Sequence, residues 1–248
     1  MRVVIVRRSG GELALVCQGD HARLAADLLA LFRLPELADH PRRDALLRAV
    51  ADHDNGWWEV DAAPRVDPTT GAPVDFLGLP DELRRELWER GVARFAPEDP
   101  GRAAQIAAHF LRLFGARAGD PHWGPLLERQ REGLVALLEA SGRTPAELAA
   151  DDRWLELADQ LSLVACSGST APLAVAPWRA EVGETPAGIE LRLDPFPLAG
   201  TTVLTLRERR IEDRPYRRDA ELALALAAAR WRTTGVRVSP LEPGVAPR

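Results

Sequence analysis

The pattern of apolar and polar positions divides the chain into β, α and β stretches. Residues 2–8 and 12–18 are rich in β-branched and aliphatic residues. Ser9-Gly10-Gly11 joins them, which predicts a hairpin with glycine in the turn. From Asp20 the apolar spacing changes to three and four, predicting a helix to about Phe32. A second helix is expected over 41–53, with Pro41 at its first position. Further helices are expected over 81–95, 100–114, 121–140 and 145–166. The last is opened by Thr144-Pro145-Ala146-Glu147, a capping box. Strands are expected over 173–180, 188–194 and 201–211, then a helix over 218–229 and a strand over 230–238. Between Asn55 and Pro80 there is no period, only Gly, Pro, Asp and Thr in abundance. A stretch of that length inside a packed chain is more often a functional loop than a plain connection.

Strands at both ends and helices between them predict an α+β fold. The simplest packing is a mainly helical core (20–167) against a small antiparallel sheet built from the N- and C-terminal segments. The expected organisation is one domain over 1–238, comprising the 2–18 hairpin, the helical core and a β-rich part over 173–238. Three prolines in the last ten residues mark 239–248 as an expected disordered tail.

Composition changes this picture in two places. The chain has 248 residues and a net charge of −5, and all 32 of its basic residues are arginine. An acidic balance argues against sequence-independent nucleic-acid binding. The lack of lysine excludes a lysine Schiff base, a P-loop lysine and a kinase-type lysine. The longest apolar run, Leu222 to Ala229, is too short to cross a bilayer. With no leader-like N-terminus and two cysteines, Cys17 and Cys166, at no metal-like spacing, the expectation is a cytoplasmic protein that meets neither membrane nor nucleic acid. The second place is asparagine: there is one, Asn55, and it follows His53-Asp54.

The five histidines can each be placed. His21 shares a helical stripe with Leu24, Ala25 and Leu28. His53 follows Leu46, Ala49 and Val50, and His109 lies between Ile106 and Leu113. Three imidazoles therefore lie on the apolar faces of three different helices. Asp159 sits between Leu155 and Leu163, where a carboxylate must be paired, hydrogen-bonded or metal-bound. Either a metal or catalytic cluster or an all-structural polar core satisfies this pattern. Histidine and carboxylate without thiolate suit Fe, Mn, Zn, Ni or Co. His53 and Asp54 at a helix end can both reach one ion if the chain turns there, and Asn55-Gly56 supplies such a turn. His40, before Pro41, reads as a linker residue, and His122 as a surface or capping residue.

His21, then His53-Asp54, then Asp159, on successive helices, resembles the H…HD…D order of the HD-domain superfamily of metal-dependent phosphohydrolases, which has an oxidative di-iron branch. The resemblance implies a divalent metal held by His21, His53, Asp54 and Asp159, with His109 in a place that serves a second metal and His122 as a candidate for another such place. More locally, Gln18-Gly19-Asp20-His21-Ala22, His53-Asp54-Asn55-Gly56-Trp57, Asp61-Ala62-Ala63-Pro64 and Asp159-Gln160-Leu161-Ser162-Leu163 resemble an uncharacterised bacterial family of unknown function. The usual small residue and glycine after an HD pair are replaced here by Asn55-Gly56-Trp57.

Three functions follow as expectations. The first is an HD-like hydrolase acting on a small molecule, a phosphorylated one among the candidates. Asp54 and Arg65 are its candidate catalytic residues, and Asn55, Trp57 and Arg65 its candidate substrate contacts. The second is a di-iron oxygenase. The third is a non-enzymatic binding or scaffold protein in which the His/Asp network is structural. Asp61, Asp67 and Asp75 share the long loop with Arg65 and are either substrate contacts or simply solvated.

Overall fold

The computed structural model describes residues 5–63 and 65–242. The fold is α+β, with a helix-rich middle and a six-stranded sheet. The strands β1 (Ile5–Ser9) and β2 (Glu12–Val16) form the expected hairpin. The helices α1 (Gln18–Ala30), α2 (Pro35–Ala38), α3 (Arg43–Asp52), α4 (Asp81–Phe95), α5 (Pro100–Phe114), α6 (Gly124–Ser141) and α7 (Pro145–Ser167) follow. The chain then runs through β3 (Arg179–Thr185), β4 (Gly188–Asp194), β5 (Thr202–Glu212), α8 (Asp219–Ala228) and β6 (Trp231–Pro240). Among the described residues, no helix is long and apolar enough to cross a membrane.

The sheet order is β1-β2-β5-β6-β4-β3, and it is mixed, not antiparallel throughout. The exception is β4 with β6, whose register runs parallel from Ile189↔Val236 to Leu193↔Pro240. The cause is topological. A short return over 195–201 makes β4 and β5 run in opposite directions, and β6 slots between them. A strand inserted between two antiparallel neighbours must be parallel to one of them. That placement also brings the start of the expected tail into the sheet: Ser239 and Pro240 belong to β6, and the Leu241 N–H donates to the Leu193 carbonyl at 2.8 Å. Of the tail expected from 239, residues 243–248 lie outside the described residues, as do residues 2–4 of the first strand.

Two element boundaries move for local reasons. The strand expected over 173–180 lies at 179–185, because Pro177 removes a ladder donor from the middle of the expected stretch. Helix α6 begins at Gly124, not 121. Asp120 instead folds its own turn, with Oδ1 accepting from the His122 and Trp123 N–H groups.

Two apolar clusters hold the helices. One lies between the sheet and α1, α3 and α7, with Val16, Leu24, Leu28, Leu161, Leu191 and Val236 buried in it. The other lies among α4, α5 and α6 and is aromatic: Trp88 stacks on Phe110, and Phe114 on Trp123 at 4.5 Å. Helices α1, α3, α5 and α7 pack on one another between these clusters. The buried Arg7 side chain fastens the hairpin to the end of α7, bonding Glu208 at 2.8 Å and the Cys166 carbonyl at 2.8 Å.

Candidate metal centre

Each of the four packed helices delivers one polar side chain to a common point. His21 comes from the first turns of α1, His53 from the C-cap of α3, His109 from α5 and Asp159 from the middle of α7. Asp54 follows His53 as the chain leaves the helix. All five are buried, with His21 fully inaccessible. His21 and His53 meet edge to face at 5.3 Å, and His53 and His109 at 5.0 Å. His21 Nε2 lies 3.1 Å from Asp159 Oδ1 and 3.6 Å from Asp54 Oδ2. His53 Nε2 lies 3.4 Å from each of the same two oxygens. Ligand atoms of His21, His53 and Asp159, and of His53, Asp54 and His109, fall within 4.8 Å of one another.

The outer ring nitrogens fix what the inner ones can do. His53 Nδ1 is 2.7 Å from the Val50 carbonyl, an acceptor only, so Nδ1 carries the proton. Ser162 Oγ donates to the Asp159 carbonyl at 2.9 Å and thus accepts from His21 Nδ1 at 2.7 Å. Each ring, when neutral, therefore presents a bare Nε2 to two carboxylate oxygens, and neither Nε2 has a donor facing it among the described residues. Lone pairs facing carboxylates in a buried site call for a proton or a metal ion among them. His109 is set the other way. Its Nδ1 lies 2.7 Å from Arg112 Nη2, which can only donate, so the neutral ring carries its proton on Nε2. Arg112 is itself anchored to Asp152 at 2.8 Å and Glu156 at 3.1 Å on α7.

The electrostatics agree. Burial disfavours a charged His53, but the Asp54 and Asp159 carboxylates outweigh it and raise the His53 pKa well above the usual range. Burial likewise pushes Asp159 up, and the two imidazoles that bond it outweigh that and hold it well below the ordinary carboxylate value. For His109 burial prevails, and its pKa drops to about 3, so the ring is neutral near pH 7.

The turn after His53 is held from α4. Asn55 Nδ2 donates to the Asp52 carbonyl at 2.9 Å and the Gly91 carbonyl at 3.1 Å. Arg90 and Arg94 bond the Gly56 and Asn55 carbonyls at 3.0 and 2.9 Å. Gly56 lies so close to α4 that a Cβ there would sit 2.0 Å from the Leu87 carbonyl oxygen. Helix α1 has no side-chain cap of its own, and the buried Asp61 supplies one: its Oδ2 accepts from the Gln18 N–H at 2.9 Å.

A cavity of about 270 Å³ reaches His21, Asp54, His109 and Asp159. Trp57, Phe76, Trp88 and Phe114 form much of its wall, and Leu77 and Leu113 on its lining are exposed. Arg84 also lines it. Of the residues expected at the site, Trp57 lies on this cavity. Asn55 does not line it; it is buried in the turn and spends its amide on backbone. Arg65 is exposed in the loop and does not line it either. The loop aspartates have local partners: Asp67 accepts from Thr69 and Thr70, and Asp75 caps the turn over 76–78. His122 is exposed, whereas His40, read as a linker, pairs with Asp151 at 2.8 Å.

Sequence reasoning missed Ser162, Arg112 and Arg84. The first two had a signal. Ser162 and Arg112 each stand three residues after a site residue, on the same helical face. Arg84 had none, being one arginine among many.

No protein of curated function and no solved structure matches the chain. A family of proteins of unknown function does, over residues 4–213, a span that takes in the β-hairpin, α1 to α7 and all five residues of the centre. The chain belongs to that family, DUF3891.

Proposed function

We propose that the protein is a metal-dependent hydrolase of HD-like type, with one divalent cation held by His21, His53, Asp54 and Asp159. One observation carries this reading: His21 and His53, each with Nδ1 committed to an acceptor, both aim Nε2 at the Asp54 and Asp159 carboxylates in a buried site. The order of the four residues on α1, α3 and α7 supports the HD-like assignment. Two buried carboxylates that face imidazole nitrogens call for positive charge among them. A proton on His53 supplies it in the metal-free protein, and a divalent ion would take that proton's place. Bound there, such an ion supplies Lewis acidity, lowering the pKa of a coordinated water and polarising a phosphoryl or acyl oxygen.

The chain's own residues supply the rest. His109, neutral and protonated on Nε2, offers a fixed N–H donor to an oxygen that gains charge. Arg112 holds that tautomer. Ser162 and the Val50 carbonyl orient the two ligand imidazoles. The aromatic wall of Trp57, Phe76, Trp88 and Phe114 gives the cavity beside the centre an apolar lining. The His109 tautomer favours one metal over two, because a second ion would need the nitrogen that carries the proton.

Elemental analysis of untagged protein tests the proposal, followed by titration with Fe, Mn, Zn, Ni and Co. Near-stoichiometric metal, and phosphoester or ester hydrolysis lost in Asp54→Ala with the fold retained, would support it. Protein that neither carries nor binds any of these metals would leave only the structural polar network. Two irons per chain, with absorption that responds to oxygen, would favour the oxygenase.

A further inference from the structure

The wall of the cavity specifies more than the metal centre does. Trp57, Phe76, Trp88, Phe114 and Leu163 make it predominantly apolar, and Leu77 and Leu113 carry the apolar surface outward, 71% and 46% exposed. Among the described lining residues outside the centre, Arg84 is the one cation. It is placed rather than loose: Nη2 donates to the Leu77 carbonyl at 2.7 Å. Its nearest acid, Asp81, stands 3.6 Å from Nη1. Asp81 is itself committed to Arg117 at 2.7 Å and to the Trp123 indole at 3.1 Å. Arg84 thus keeps N–H donors and much of its charge for a ligand. Three buried polar atoms of the same wall have no partner: Trp57 Nε1, Trp88 Nε1 and Gln18 Oε1.

We propose that this cavity takes a small molecule with an aromatic or branched aliphatic body and a single anionic group, and that Arg84 binds the anion. One guanidinium matches one anionic group, and the described lining has no second cationic side chain for a polyphosphate. At about 270 Å³ the space falls just below the usual range for drug-sized ligands, about 300–1,000 Å³. The substrate class deepens the hydrolase reading and rests on it for the reaction, while the binding itself does not require that reading.

Quenching of tryptophan fluorescence measures binding, since Trp57 and Trp88 stand in the wall. The probes are phenylphosphonate, methylphosphonate (the same anion without the body) and benzyl alcohol (the body without the anion). Phenylphosphonate is expected to bind at least tenfold more tightly than either comparator. Arg84→Gln should weaken it at least tenfold and leave benzyl alcohol unchanged. Leu113→Asp, a change at a half-exposed position, should also weaken phenylphosphonate and serves if Arg84→Gln does not fold. Equal affinity for the two phosphonates, or phenylphosphonate binding that neither substitution alters, would overturn the proposal. Repeating the titration on chelator-treated protein separates it from the metal reading. Arg84-dependent binding by a protein that takes up no metal upholds the cavity assignment while removing the hydrolase. Metal uptake without Arg84-dependent binding does the reverse.

Discussion

Ser162 accepts a hydrogen bond from His21 Nδ1 at 2.7 Å and donates its own proton to the Asp159 carbonyl, so one hydroxyl orients a ring on α1 from α7. Partners of this kind are worth roughly 10–100-fold in metal affinity. Ser162→Ala is therefore expected to weaken metal binding by that factor, measured by competition with a chromogenic chelator. It also leaves the buried Nδ1–H without an acceptor, at a cost of about 1–3 kcal/mol in urea unfolding. Wild-type metal affinity in Ser162→Ala would show that this hydroxyl does not tune the ring.

Metal uptake is expected to release close to one proton, from His53. Its pKa is raised in the metal-free protein by Asp54 and Asp159 against the pull of burial, so the folded protein holds a proton there at neutral pH. A cation displaces it, since a ligand imidazole must be neutral. Metal affinity should fall as pH is lowered below that raised value. Calorimetric titration in buffers of different ionisation enthalpy counts the proton directly, and zero protons released near pH 7 would contradict the assignment.

Much of this organisation is legible in the sequence where a local rule decides it. The Thr144…Glu147 capping box opens α7 in the structure, with both reciprocal hydrogen bonds made. The residues that converge from α1, α3, α5 and α7 were legible because each lies on an apolar stripe whose period fixes its direction. What the sequence does not reveal is tertiary. The parallel contact between β4 and β6 depends on where a strand inserts, which no spacing records. Arg65 stands in a polar loop that looks apt for an anion, whereas the arginine that lines the cavity, Arg84, comes from α4. Asn55 stood out by rarity, and its side chain serves the turn beside the centre.

Gly56→Ala is expected to be among the most damaging small substitutions in the chain. The added carbon would sit 2.0 Å from the Leu87 carbonyl oxygen, and that backbone cannot move without shifting α4. Gly91 faces it across the contact, where a Cβ would lie 3.3 Å from the Gly56 nitrogen. Overpacking costs about 1–3 kcal/mol even where side chains can yield, and here backbone meets backbone. Urea unfolding should show a loss of at least that size, together with weakened metal binding, because the same turn carries His53 and Asp54. A variant as stable as wild type would mean that the turn and α4 are not in contact as described.

Asp61 supplies the clearest dependence of stability on pH. Burial is the main cause that raises its pKa well above the usual value, and the Asp54 and Asp20 charges add to it, against the lowering effect of the Gly19 and Gln18 N–H groups. The sign follows from which state holds the proton. The unfolded chain releases it near 3.8, the ordinary aspartate value, while the folded chain keeps it to higher pH. Stability from this group is therefore complete below about pH 4 and falls as pH rises through the raised folded value, by at most about 1.4 kcal/mol per pH unit. Asp61→Asn keeps an oxygen for the Gln18 N–H and carries no charge, so it should lose this fall. Urea unfolding of chelator-treated protein from pH 4 to 8 should show the variant gaining on wild type as pH rises. Asp61→Ala removes the cap as well and should cost about 0.5–2 kcal/mol at pH 4, where charge plays no part. A wild-type and Asp61→Asn difference that stays flat over this range would show that the carboxyl is not holding a proton at the start of α1.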